Sequence, residues 1–209
     1  MIDNPAIGNW FSTPIYCDFA KSQQFDLIQQ EISVAIEDLK KNNIFSKNEG
    51  WDPNTHRLSD INFEKNFILE YNLNELFSEI GRHVYNYTTQ LETPPHKIKK
   101  FKIVTSWATQ TLQNEYAHVH THGSYDMSGV YYFKTNNKDG NLFFRSPARE
   151  LSLCWPFEHI TSQVDYIPKE GQIILFPGWL EHGTRANLTE NERISISFNI
   201  SFSRDHLLD

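Results

Sequence analysis

His118, His120 and His122 fall at alternate positions within E-Y-A-H-V-H-T-H-G-S-Y-D-M-S-G-V-Y-Y-F (Glu115 to Phe133), three of the nine histidines in a chain of 209 residues. Successive side chains of a β-strand point to opposite faces, so an extended backbone would aim all three imidazoles the same way. Neutral imidazole is a common ligand for transition metals, and two rings two residues apart can grip one ion. Another histidine, His182, follows F-P-G-W-L-E, and Arg193 and Ser195 share one face at the start of a later alternating run. This layout reads as the metal-bearing edge of a β-barrel. Trp51 and His56 in a polar loop, Trp107 and Trp179 at strand ends, and Arg145 and Arg149 in R-S-P-A-R are further side chains that could meet a substrate. Each also has a plainer role: anchoring a loop, covering a core or solvating a surface.

The rest of the chain must position these groups. Its length suits one domain over 1–209, with an N-terminal strand and supporting helices in 1–99 and a sheet-rich core in 100–204. Net charge is −7, which opposes a phosphate backbone and argues against nucleic acid as a partner. The N-terminus lacks the charged head and apolar run of a signal peptide, and no stretch approaches a membrane span. We therefore expect a cytoplasmic protein with no membrane partner, whose two cysteines, Cys17 and Cys154, stay reduced.

Asn9 to Phe19 reads as an early strand at a sheet edge, since Pro14 interrupts it. Phe25, Ile28, Ile32, Ala35, Ile36 and Leu39 recur at helical spacing, so Ser22 to Lys41 reads as a helix, with Ser22 as N-cap and Asn42-Asn43 as stop. Lys47 to Phe63 is turn-rich and reads as loop. A second helix is expected from Leu73 to Leu91 with Leu76, Ile80, Val84 and Tyr87 inward, ended by Thr93-Pro94-Pro95.

From Lys100 the period changes to two. Strands are expected at Lys102 to Ala108, Tyr116 to His122, Ser128 to Lys134, Leu142 to Phe144, Glu158 to Tyr166, Gly171 to Phe176 and Arg193 to Phe202. The turn Asn136 to Asn141 suggests a hairpin between the third and fourth of these. R-I-S-I-S-F-N-I-S-F alternates most cleanly and reads as a half-buried strand. Many strands with short joins and no helices between them argue for an antiparallel sandwich or barrel, giving a mostly β fold with N-terminal helices.

Four motifs then fall in order: His120-Thr121-His122, Ser128 to Tyr132 (S-G-V-Y-Y), Phe176 to His182 (F-P-G-W-L-E-H) and Glu192 to Asn199 (E-R-I-S-I-S-F-N). Together they resemble the 2-oxoglutarate- and Fe(II)-dependent oxygenases of the prolyl-hydroxylase-like superfamily, over Lys100 to Phe202 and faintly at Thr13 to Tyr16. The resemblance implies a double-stranded β-helix (jelly-roll, cupin-like barrel) holding one Fe(II). It implies 2-oxoglutarate and O₂ as cosubstrates and leaves room for ascorbate as a supporting reductant. It assigns His120, His122 and His182 as metal ligands, and Arg193, Ser195 and Tyr132 as contacts to 2-oxoglutarate. A planar guanidinium suits a bidentate grip on the far carboxylate.

The usual family pattern, H-x-D or H-x-E, has a carboxylate where this chain has His122. Asp126 folding back from the turn, or His118 replacing a neighbour, are alternative ligands. The implied reaction is hydroxylation of a C–H bond, in a prolyl residue of a peptide or protein or in a free amino acid, coupled to decarboxylation of 2-oxoglutarate to succinate. Two other classes compete. A cosubstrate-independent dioxygenase on a three-histidine cupin explains the missing acid but leaves Arg193 and Ser195 idle. A non-catalytic jelly-roll that binds sugar or peptide leaves the histidines unexplained.

Overall fold

A computed structural model describes residues 12–93, 100–155 and 161–203. In chain order its elements are β1 (Tyr16–Phe19), α1 (Ser22–Lys41), β2 (Arg57–Leu58), α2 (Phe67–Glu70), α3 (Asn74–Gln90), β3 (Phe101–Thr111), β4 (Ala117–His120) and β5 (Met127–Lys134). They continue as β6 (Leu142–Arg145), a 3-10 turn (Arg149–Leu153), β7 (Gln163–Tyr166), β8 (Gln172–Pro177), β9 (His182–Thr184) and β10 (Arg193–Phe202). The strands form two antiparallel sheets, one in the order β1-β8-β5-β10-β3-β2 and one in the order β4-β9-β6-β7.

α1 has the bounds that its apolar spacing predicts, and Ile28, Ile32, Ala35, Ile36 and Leu39 are its buried face. Ser22 is not its cap. Lys21 takes that place with no side-chain cap bond, and its backbone N–H goes instead to Glu79 Oε1 at 2.8 Å. Asn42 caps the other end, and Asn43 turns the chain at φ 52°, a left-handed conformation that asparagine tolerates. α3 buries Leu76, Ile80, Val84 and Tyr87 as expected. Its first turn is capped from α1, where the Glu31 carboxylate accepts the N–H groups of Glu75 (3.0 Å) and Leu76 (3.3 Å). The Pro94-Pro95 stop, Asn9 to Phe11 of the early strand and Glu158 to Ile160 of the weak strand lie outside the described residues.

Both helices pack on the outer face of the larger sheet, where Tyr131, Ile173, Leu175, Ile194, Ile196, Phe198 and Ile200 meet Ile28, Ile32, Ile80 and Val84 in one core. β1 joins that sheet at its edge, next to β8, so the N-terminal segment completes the core rather than standing apart. A second, smaller core of Val130, Tyr132, Leu142, Phe144, Ile174, Phe176 and Leu180 fills part of the space between the sheets. Gly129 marks how tightly the outer core is closed: a Cβ there would come within 2.5 Å of the Phe198 ring and 2.6 Å of Leu175.

Two expectations are corrected. β5 and β6 do not form a hairpin; β5 is flanked by β8 and β10, so it has no free edge, and the Asn136 to Asn141 turn carries the chain to the other sheet, where β6 pairs with β7 and β9. β10 is not half-exposed either. Its apolar residues face the helices, and its polar residues Arg193, Ser195, Ser197 and Asn199 face inward, lining a cavity between the sheets. Polar side chains on the inner face of a closed sandwich need a function or a partner, because unpaired burial is costly.

Candidate active site

β4 and β9 pair antiparallel at one edge of the smaller sheet, with His120 directly opposite His182. His122 follows two residues beyond β4, held where its backbone N–H meets the Gly178 carbonyl at 2.8 Å. Potential ligand atoms of His120, His122 and His182 all lie within 4.8 Å of one another. Ring centroids are 4.3 Å apart for His120–His182, 4.9 Å for His122–His182 and 5.1 Å for His120–His122.

The second nitrogen of each ring decides what the cluster can do. His120 Nδ1 lies 2.7 Å from the His118 carbonyl, and His182 Nδ1 lies 2.8 Å from the Leu180 carbonyl. His122 Nδ1 contacts Asn199 Oδ1. An oxygen of this kind only accepts, so each Nδ1 carries the proton and each Nε2 keeps its lone pair, the tautomer a metal requires. Asn199 is itself oriented, since its Oδ1 accepts from Ser128 Oγ at 2.7 Å and its Nδ2 donates to Thr105 Oγ1 at 3.0 Å. Burial lowers the His122 pKa to about 4 and that of His182 well below the usual histidine value. His120 opens toward solvent, yet loses enough hydration in the cavity for its pKa also to fall. Three neutral nitrogen donors, converging and fixed in tautomer, suit a divalent first-row metal such as Fe(II).

Arg193 lies in the same cavity and is 2% exposed. Its Nη1 donates to the Asp139 carbonyl at 2.9 Å and also contacts the Gly140 carbonyl; its Nη2 donates to Thr111 Oγ1 at 3.1 Å and Thr184 Oγ1 at 3.3 Å. Gly140, at φ 99°, allows this approach, because a Cβ there would stand 2.2 Å from the Arg185 carbonyl oxygen and 3.1 Å from Arg193 Nη1. Burial lowers the Arg193 pKa, but a guanidinium stays charged in proteins. Among the described residues its Nε is buried with no hydrogen-bond partner and none of its bonds is to a carboxylate, although the Asp139 carboxylate acts on its charge without a direct bond. Glu192, the obvious surface partner, instead pairs with Lys40 and with Lys134. Ser195 and Tyr132 line the cavity beside it, directly opposite each other across β10 and β5. Burial raises the Tyr132 phenol to about 12.

The alternative ligands stand elsewhere. His118 also lines the cavity, but it is exposed, its ring packs against Tyr116 at 5.1 Å, and it is not part of the histidine cluster. Asp126 accepts the backbone N–H of Phe202 at 2.8 Å, and it is not part of the histidine cluster. Trp107 lines the cavity with its ring 5.7 Å from His122, whereas Trp179 is 53% exposed and does not line it. Arg149 is tied on the surface to Glu181 at 2.7 Å, and Arg145 approaches the same carboxylate at 3.9 Å. Trp51 and His56 do reach the cavity, whose volume is about 570 Å³. Asn199 was not foreseen as a site residue; its position on the inward face of the alternating strand was the available signal.

Residues 105–199 match a protein family described as "Putative 2OG-Fe(II) oxygenase". No curated protein matches the chain by sequence. Among solved structures, the non-heme alpha-ketoglutarate-dependent carbocyclase SnoK from nogalamycin biosynthesis is similar at a TM-score of 0.63 and 11% identity, covering 92% of this chain and 81% of its own. A prolyl-4-hydroxylase from Pseudomonas putida gives a TM-score of 0.58 at 10% identity, covering 91% and 93%. HygX from Streptomyces hygroscopicus, solved with nickel and 2-oxoglutarate bound, gives 0.55 at 11% identity, covering 90% and 83%. These neighbours establish the fold as that of the double-stranded β-helix oxygenases. The family match, which spans His120, His122 and His182, and the shared fold make the chain similar to the 2-oxoglutarate- and Fe(II)-dependent oxygenases.

Proposed function

We propose that the protein hydroxylates a C–H bond of an organic substrate, with Fe(II) bound by His120, His122 and His182. The carrying observation is that one cavity holds three converging Nε2 lone pairs and a buried guanidinium whose Nε has no protein partner. A buried cation of this kind costs free energy until an anion meets it, and a dicarboxylic acid supplies one. Arg193 and Ser195 grip the far carboxylate of 2-oxoglutarate, and the Tyr132 phenol, protonated at neutral pH, donates one more hydrogen bond.

The bound metal with 2-oxoglutarate and O₂ supplies the oxidising power, and succinate and CO₂ leave as co-products. The chain's own residues orient and exclude. Asn199 and the His118 and Leu180 carbonyls fix the three rings; Phe176, Val130 and Leu142 keep that end of the cavity apolar. His120, His122 and His182, all neutral, would not offset the charge of the metal they hold, which would favour an anionic cosubstrate more than a site with a carboxylate ligand would. Among described residues no Asp or Glu joins the cluster.

A prolyl residue in a peptide remains a substrate within this reading, as does a neutral small molecule. Succinate release on incubation with Fe(II), O₂ and 2-oxoglutarate tests the proposal. Oxygen uptake that does not need 2-oxoglutarate would instead support the three-histidine dioxygenase.

A further inference from the structure

His56, 7% exposed, forms a wall of the cavity that the chemistry above does not use. Its backbone N–H donates to the Tyr116 carbonyl at 2.9 Å, and its Nδ1 meets the same oxygen at 3.1 Å. The proton is therefore on Nδ1, and Nε2 is an acceptor. Among the described residues Nε2 has no hydrogen-bond partner. Trp51 stands edge-on to the ring at 5.6 Å. Phe63, which lines the same cavity, packs edge-on against Trp107 at 4.9 Å, and Trp107 reaches to within 5.7 Å of His122. These four rings line the cavity that also holds the histidine cluster, and together they give it an aromatic slot. Apart from Arg193, no arginine, lysine, aspartate or glutamate is among the described residues that line the cavity.

We infer that this slot is the substrate subsite, and that it takes an uncharged ring-bearing group whose single N–H or O–H donor is read by His56 Nε2. The inference rests on the oxygenase reading only for the word substrate; the recognition chemistry stands on the slot itself. Aromatic walls favour a flat apolar group. An ammonium entering here would lose its hydration and find no carboxylate among the lining residues, the buried Glu115 being held by Lys47 and Arg57, so a free amino acid is disfavoured, as is a peptidyl prolyl ring, which has no N–H to offer. An acceptor fixed in one tautomer selects for a donor, because a ligand without one leaves Nε2 dehydrated and unpaired.

The test uses indole, 1-methylindole and tryptamine, titrated by calorimetry into the full chain without metal or cosubstrate. Indole should bind about fivefold more tightly than 1-methylindole, the size of one net hydrogen bond. It should bind at least about tenfold more tightly than tryptamine, which brings a charge. His56→Phe should abolish the preference between the two indoles while keeping affinity for 1-methylindole, and His56→Gln, which retains an acceptor, should restore part of it. Equal affinity of wild-type protein for the two indoles, no binding of indole, tighter binding of tryptamine, or a preference that survives in His56→Phe would each overturn the inference. Succinate release is measured on a portion of the same preparation after it is supplied with Fe(II), 2-oxoglutarate and O₂. Preference without succinate release counts against the oxygenase reading alone, and succinate release without preference counts against the subsite alone.

Discussion

His120 and His182 stand directly opposite each other on β4 and β9, with ring centroids 4.3 Å apart. Paired antiparallel strands bring facing side chains this close without any loop having to be held in place. Two of the three rings thus come from one strand pair of the smaller sheet, and His122, beyond the end of β4, is held by Asn199 from the larger sheet. Five expected outcomes follow from this arrangement.

His182→Ala should lose bound iron after anaerobic reconstitution, measured by elemental analysis. His120→Ala should do the same, while Asp126→Ala, whose carboxylate caps the Phe202 N–H, should keep its metal. Full iron occupancy in His182→Ala would remove that residue from the ligand set.

Asn199→Ala leaves the His122 Nδ1–H without its acceptor and Ser128 without its own. Loss of such an outer partner typically weakens metal affinity by about 10–100-fold. Competition against a chelator of known affinity measures it, and an unchanged constant would mean that the His122 ring is oriented by other contacts.

Arg193→Ala should retain iron and raise the dissociation constant for 2-oxoglutarate by about 30-fold or more, as expected for loss of a charge-assisted pair. Calorimetric titration of the metal-loaded variant reads this directly. Unaltered 2-oxoglutarate binding would refute the assigned role.

Metal-free protein should lose stability as pH falls from about 6.5 toward about 4. His83, fully buried, is held to about 4, chiefly by burial and then by the adjacent Arg82 cation. The Arg82 Nη2–H meets its Nε2 at 2.8 Å, which occupies the site a second proton would take. Its folded pKa lies below the unfolded value, so the unfolded chain takes up the proton first and acid favours unfolding within that window. The difference amounts to about 3 kcal/mol once both transitions are complete. His83→Gln should reduce the slope of Tm against pH between those limits, the remainder coming from His56, His122 and His182; an unchanged slope would assign all of it to those other groups.

Gly129→Ala should destabilise the fold by about 1–3 kcal/mol, the usual cost of overfilling a closed core, because the new Cβ collides with Phe198 and Leu175. Urea denaturation would show a lower midpoint. No change would mean that these two side chains can shift at little cost.

Much of this was legible in the residue pattern. α1 and β10 have the bounds that their apolar periods predict. His120, His122, His182, Arg193, Ser195 and Tyr132 were singled out in sequence, and all six line one cavity. The exclusions were less legible. Nothing in the spacing of His118 separates it from His120, yet its ring packs on Tyr116 and stays out of the cluster. The β5–β6 turn has hairpin composition and is no hairpin, since β8 and β10 already occupy both sides of β5.

Periodicity by itself determined which residues share a face, because side-chain direction follows from backbone geometry within one strand or helix. It could not determine which face meets which, since that depends on pairings between segments far apart in the chain. Tertiary structure therefore decided that the polar face of β10 turns inward to line the cavity, that Asn199 orients His122, and that Asp126 caps a strand end away from the cluster.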